Sequence, residues 1–421
     1  MRGYMRTTGL FPLWAVVICA APVLTSCGSS TSTGSSSNPP SPPQTTHVAV
    51  ADTGDNRVLV YEEPLSATSS ATTVIGQISL TEGKANQGAA TASSATLDSP
   101  QGIAVDSAGD LWVADRGNCR VVEFKAPLTT GMNASLVIGQ SDFASTGMNG
   151  GWGCPFATSI APDNMETPVS VALDSHGDLW VADAAASRIT EFLPPFSNGM
   201  RASLVIGQPN MQSNAPCNGA SEGEHGPALP PTAATLCAPQ AIAFDSEGNL
   251  WVTDAQNSRV LEFVPPFSTG MAASVVLGEP TATVFTGNAS CGPSASEFCA
   301  PAGLTFDSHG SLWVADLEIN RVTEFVPPFM TGMAATLEIG QPNFTSQGPT
   351  PTAAMEYPDG LAFDRSGNLL VVSQFSEILV YAPAFSIAMN PSTTVSSGLG
   401  SCPPPTPTAG TLCEPVAVTT F

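Results

Sequence analysis

Between Pro100 and Phe124 apolar positions alternate with small or polar ones in three short runs, GIAVD, LWVAD and RVVEF, separated by turn residues. A period of two marks β-strands, and Gly in the first turn supplies the positive φ that a tight hairpin needs. The pattern recurs. A proline opens it at Pro100, Pro168, Pro239, Pro301, Pro358 and Pro415, at spacings of 68, 71, 62, 57 and 57 residues. After the first five come GIAVD, SVALD, AIAFD, GLTFD and GLAFD, and then turns ending Gly109-Asp110, Gly177-Asp178, Gly248-Asn249, Gly310-Ser311 and Gly367-Asn368. The second strand carries Trp112, Trp180, Trp251 and Trp313, with Leu370 in the last copy. The third ends on Tyr61, Phe124, Phe192, Phe263, Phe325 or Tyr381, and a Pro-containing turn leads to a fourth strand such as Ser203–Gly207. Four antiparallel strands per unit, repeated along the chain, predict an all-β propeller.

The termini set the blade number. The unit at His47 begins with VAVAD, already a second strand, while CEPVAVTTF at the end is a first strand with no continuation. Joined, they make one blade, so the expected fold is a six-bladed propeller whose ring is closed by the C-terminal strand on the N-terminal blade. A linear array would leave open strand edges, which folded proteins avoid.

The run P-x-G-I-A-V-D-x-x-G-x-L-W-V-A-D-x-x-N-x-R-V-x-x-F at Pro100–Phe124 resembles the NHL-repeat family of six-bladed β-propellers. The resemblance extends over the chain from residue 47 and implies the fold. It says little about activity, because that family includes protein-binding, RNA-binding and catalytic members. Gluconolactonase-type enzymes, and the amidating lyase that the family resembles in fold, bind a metal in the channel. Their Glu/Asn/Asp or His ligand sets do not map onto this chain residue by residue.

Charge narrows the partners. Against 12 Lys+Arg stand 35 Asp+Glu, a net charge of −23 that repels phosphate backbones and excludes nucleic acid. Cations, basic peptides and neutral glycans remain open. Residues 1–26 read as a lipoprotein signal peptide: MRGYMR is a positive segment, LFPLWAVVICAAPVL an apolar one, and Leu24-Thr25-Ser26-Cys27 resembles a lipobox with Cys27 the acylated residue. Residues 27–46 are then an acylated Ser/Thr/Pro tether too polar to fold, and 47–421 the propeller. A monomer is expected, anchored by lipid in a bacterial cell envelope, at the outer membrane.

Comparison among the copies sorts the chemistry. Asp52, Asp115, Asp183, Asp254 and Asp316 end the second strands, and five residues on stand Arg57, Arg120, Arg188, Arg259 and Arg321. In the sixth copy both are replaced, by Ser373 and Ile378. A ring of Asp would suit a metal or substrate, but joint loss points to structural Asp–Arg pairs, since removing one partner strands a buried charge. Two residues before the repeat Pro stand Asp98, Glu166, Cys237, Cys299, Glu356 and Cys413. Each of these cysteines has another upstream in its loop, giving the expected disulfides Cys217–Cys237, Cys291–Cys299 and Cys402–Cys413, with Cys119–Cys154 as a fourth. Zinc, the competing use of these cysteines, lacks CxxC spacing and converging His.

The long segments leading into the blades are Ile78–Ser99, Ser141–Thr167, Pro209–Ala238, Pro280–Ala300, Pro342–Tyr357 and Ser401–Glu414, all on one face. Rigid scaffold plus long loops is the usual setting for a binding site. On that face Asp98, Glu166, Glu356 and Glu414, with Asp359 just inside, would hold a hard cation such as Ca²⁺ if they converge; otherwise they are turn caps or solvated charge. Of the four histidines, His176 and His309 occupy equivalent turns on the opposite face, His47 opens a strand, and only His225 lies in a loop of the long-loop face. The functional expectation is a binding or scaffold propeller that recognises a protein, peptide or glycan. The alternative is a metal-dependent hydrolase or lyase at the acidic channel mouth.

Overall fold

A computed structural model describes residues 46–145, 160–213, 231–279, 292–348, 355–375, 377–396 and 407–421. The chain divides into Met1–Gln44, outside the described residues, and Thr45–Phe421. The second unit is a six-bladed propeller of four-stranded antiparallel sheets. Blade one joins Pro415–Thr420 to His47–Asp52, Arg57–Glu62 and Thr73–Ile75. Blade two is Pro100–Val105, Leu111–Asp115, Arg120–Phe124 and Leu136–Ile138, and blades three to six repeat that order from Pro168, Pro239, Pro301 and Pro358.

The ring closes as the termini predict. Val48 pairs with Thr420, Val50 with Val418 and Asp52 with Pro415. Beyond the ladder His47 N–H donates to the Phe421 carbonyl at 2.9 Å, Phe421 N–H returns a bond at 3.0 Å, and the two rings stack with centroids 5.2 Å apart.

There is no single core. Apolar side chains form six clusters, one between each pair of neighbouring blades. This explains why LWVAD is apolar on both sides of its strand. In blade two Leu111 and Val113 face blade one, while Trp112 and Ala114 face blade three. Each Trp ring meets edge-on the Phe of the next blade's Pro turn: Trp112 with Phe196, Trp180 with Phe267, Trp251 with Phe329 and Trp313 with Phe385, at 4.7–5.0 Å. Where the Trp is absent, so is the Phe. Leu370 stands with Leu65 at the six–one junction, and Ala49 with Leu128 at the one–two junction. The Trp indoles also donate to the Asp ending the first strand, as in Trp251 Nε1 to Asp245 Oδ2 at 3.0 Å.

The Asp–Arg pairs are structural and wholly buried. The N···O separations are 2.7 Å for Asp52–Arg57 and Asp115–Arg120, 3.1 Å for Asp183–Arg188 and Asp316–Arg321, and 2.8 Å for Asp254–Arg259. Burial pushes the carboxyls of Asp52, Asp115, Asp254 and Asp316 upward, and the adjacent guanidinium opposes it. In blade two, Asp115 Oδ1 accepts the Asp98 N–H at 2.7 Å, while Arg120 donates to the carbonyls of Thr96 at 2.8 Å and Phe143 at 2.7 Å. One ion pair thus ties a turn, the segment leading into its blade and the segment leaving it.

Blade six differs in one respect from the sequence alignment. Ser373 pairs with Glu377, not Ile378, because the turn between these strands is one residue shorter. The residue in the Arg position is therefore Glu377. Ser373 takes over part of the Asp role, donating its hydroxyl to the Glu356 carbonyl at 2.6 Å. Replacing Asp254 by Ala, which leaves Arg259 uncompensated, should cost about 3–5 kcal/mol in urea unfolding. Ser373→Ala, which removes one hydrogen bond, should cost about 1 kcal/mol. Equal losses at the two sites would refute the structural weight given to the pair.

Candidate functional site

The first strands of all six blades run along the ring axis, starting at the long-loop face. Their second to fourth residues line a cavity of about 120 Å³. The second position around the ring is Val416, Gln101, Val169, Gln240, Ala302 and Asp359, the third is Ala417, Gly102, Ser170, Ala241, Gly303 and Gly360, and the fourth is apolar throughout. The third layer is small because neighbouring backbones touch: a Cβ on Gly303 would overlap the Asp359 carbonyl, and one on Gly360 would overlap Ala417 Cα.

Asp359 is the single carboxylate in this lining. It accepts a hydrogen bond from Gln374 Nε2 at 3.0 Å. Enclosure by the strands pushes its carboxyl up to about 6, against the pull of the Gln374 bond. Beside it, on the long-loop rim of blade six, Tyr357 and Phe375 are 41% and 59% exposed with ring centroids 5.6 Å apart. Tyr357 has a positive φ of 48°, and its carbonyl accepts the Gln374 N–H at 3.2 Å.

The remaining acidic candidates do not join Asp359 in the lining. Asp98 uses its side chain on Ser99, with Oγ to Oδ1 at 3.1 Å. Glu166 is buried and gives its N–H to Asp183, Glu356 gives its carbonyl to Ser373, and Glu414 is exposed. The position two before the repeat Pro serves through its backbone: Asp98, Glu166, Cys237, Cys299 and Cys413 all donate their N–H to the buried Asp of the blade. That is why Asp, Glu and Cys interchange there. Glu414 stands one residue later, at a position of positive φ it shares with Ser99, Ala238, Ala300 and Tyr357.

A metal of the kind the gluconolactonase resemblance implies needs six to eight oxygens if it is Ca²⁺. The side chains of this lining offer one carboxylate, the amides of Gln101 and Gln240 and the Ser170 hydroxyl, on four different blades, five oxygens in all, and do not fit that requirement. Among the described residues, three carboxylate or imidazole groups come within 4.8 Å of one another only at Asp174/His176/Asp178 and Asp106/Asp110/Glu123. Both lie at the opposite end of the blades, and Lys125 Nζ bonds Asp110 and Glu123 at 2.8 and 2.6 Å. Cys119, Cys237, Cys299 and Cys413 are buried; Cys154, Cys217, Cys291, Cys402 and His225 lie outside the described residues, as does Cys27.

Residues 97–124 match the model of the NHL repeat family. No curated protein sequence matches the chain significantly. Among solved structures, virginiamycin B lyase from Staphylococcus aureus is similar at 16% identity, over 69% of this chain and 70% of that one, with a TM-score of 0.38. A protein of unknown function from Bacteroides caccae aligns over 90% of this chain and 99% of its own at 8% identity and a TM-score of 0.50. A periplasmic gluconolactonase from Pseudomonas aeruginosa does so over the same shares at 11% and 0.49. Identities this low bear on fold alone. The sequence pattern missed the Tyr357–Phe375 pair; the signal open to it was Phe375 in the one turn that departs from the NHL repeat.

A carboxyl held above its ordinary value lowers stability as pH rises. Below about pH 4 folded and unfolded chains both carry the proton; between there and pH 6 the unfolded chain ionises first, a cost of about 2–3 kcal/mol at most. Asp359→Asn should therefore match the parent at pH 4 and exceed it by about 1–2 kcal/mol at pH 8 in urea unfolding. A difference independent of pH would contradict the assignment.

Proposed function

We propose that the chain is a lipid-anchored extracytoplasmic binding module that engages a protein, peptide or glycan through the long-loop face of its propeller. The observation that carries this reading is the channel mouth itself. A cavity of about 120 Å³ takes the end of a side chain or a small group rather than a whole small-molecule substrate, whose pockets span about 300–1,000 Å³. Its lining places Ser170 on blade three and its one carboxylate, Asp359, on blade six, across the ring from it. The bulk of such a ligand would lie on the loops around the mouth.

Disulfides would stiffen those loops. The partners proposed for Cys119, Cys237, Cys299 and Cys413 are Cys154, Cys217, Cys291 and Cys402. Each bridge would contribute about 2–3 kcal/mol. Residues 1–26 as a signal peptide and Cys27 as the acylated residue would place the propeller at a bacterial cell envelope, at the outer membrane, as a monomer on a tether of residues 27–46.

Two experiments test the proposal. Cys27→Ser should move the protein from the membrane pellet to the soluble fraction and abolish incorporation of labelled palmitate; unchanged fractionation would refute the anchor. Residues 47–421, immobilised and exposed to envelope extract, should retain a component that is lost when Ile78–Ser99 is shortened and kept when the opposite-face turn Asp245–Asn249 is altered. No retained component, or retention indifferent to the loop, would refute the loop face as the site. Hydrolysis of a sugar lactone that rises with added Ca²⁺ and falls with chelator would instead establish the metal-dependent enzyme.

A further inference from the structure

We propose that the blade-six side of the channel mouth receives one organic cation, the ammonium or guanidinium group of a Lys or Arg side chain on a peptide partner. This rests on the long-loop face being the binding face and names the ligand chemistry at its centre. Three independent features point to it.

The first is the cavity and its carboxylate. Asp359 lines the channel cavity and has no ion-pair partner within 4.0 Å among the described residues; Gln374 holds it in place with one hydrogen bond. Asp359 is half-buried, and a carboxylate partly withdrawn from water without a counter-ion gains from a cation supplied by a ligand. The cavity has room for on the order of ten water-sized spheres, enough for the terminal group and last methylenes of a long basic side chain.

The second is the local loss of positive charge. In the other five blades a buried Arg compensates the Asp at the end of the second strand. Blade six has Ser373 and Glu377 at those two positions, so the rim beside Asp359 has exchanged a neutral pair for a net negative charge, with Glu356 nearby. This side of the mouth therefore carries the carboxylates of Asp359, Glu356 and Glu377 with no Arg at the blade's pairing position, a negative local charge. In a chain with 35 acidic and 12 basic residues it selects for a basic partner.

The third is the aromatic pair. Tyr357 and Phe375 are large, exposed and adjacent to the residues that hold Asp359, an arrangement that offers ring faces to a cation passing into the mouth. Exposed rings at a carboxylate suit an organic cation with an apolar stem; a metal ion would gain nothing from them.

The test uses residues 47–421 and fluorescein-labelled pentalysine, pentaarginine and a Gly/Ser pentapeptide, read by anisotropy at physiological salt. A basic peptide should bind and the neutral one should not. Asp359→Asn should weaken binding about tenfold and Phe375→Ala about threefold. Glu247→Gln, in an opposite-face turn, should change it by less than about twofold, the size expected of long-range charge alone. Asp359→Asn is near-isosteric and is expected to fold, which a thermal melt confirms. Equal weakening by Asp359→Asn and Glu247→Gln, or none by either, would overturn the site. So would Asp359-dependent binding of Ca²⁺ alone with no binding of either basic peptide. If an envelope component is retained with full affinity by Asp359→Asn, the long-loop face keeps its function and the cation site falls. If nothing is retained and no peptide binds, both fall.

Discussion

The buried Asp–Arg pair is the constraint on which the regular blades depend. A guanidinium and a carboxylate out of water are stable only when the remaining hydrogen-bonding capacity is used. Here it is: the second carboxylate oxygen takes a backbone N–H, and the guanidinium takes carbonyls from the segments before and after the blade. The pair therefore fixes three pieces of chain that no sheet ladder joins. Trp and Phe do the corresponding work between blades, edge to face, at the other end of the sheets.

Blade six shows what is released when that constraint is dropped. With the Asp gone, Ser373 bonds a carbonyl directly, the turn shortens by a residue, and the side chains of the turn are free for other tasks. Gln374 reaches the channel carboxylate, and Phe375 stands out beside Tyr357. The irregular blade and the channel carboxylate coincide, and the proposed site is assembled from that coincidence. A ring of six equivalent blades would have no preferred side; one irregular blade gives it one.

Much of this was legible in the chain. The strands follow from period-two alternation, the ring from the split blade at the termini, and the pairing of Asp with Arg from their joint replacement in one copy. The register of the sixth blade was not, because one missing turn residue shifts the partner of Ser373 from Ile378 to Glu377 without disturbing the apolar pattern. The acidic set was misleading for a different reason. Asp98, Glu166 and Glu356 occupy a position whose backbone is what the fold uses, so an acidic residue there does not by itself mark a shared site.

The amino-acid sequence by itself determined the repeat, the blade architecture and the buried pairs, because each depends on spacings within a few residues that recur around the ring. The tertiary structure alone decided which side chains meet at the axis. Six strands from distant parts of the chain converge there, and the second to fourth residues of each line the cavity, the second being the one that varies most in chemistry. Of all the acidic residues on that face, the one at that position is Asp359. Its neighbours Tyr357 and Phe375 are eighteen residues apart in sequence and meet only because the first and second strands of blade six lie side by side.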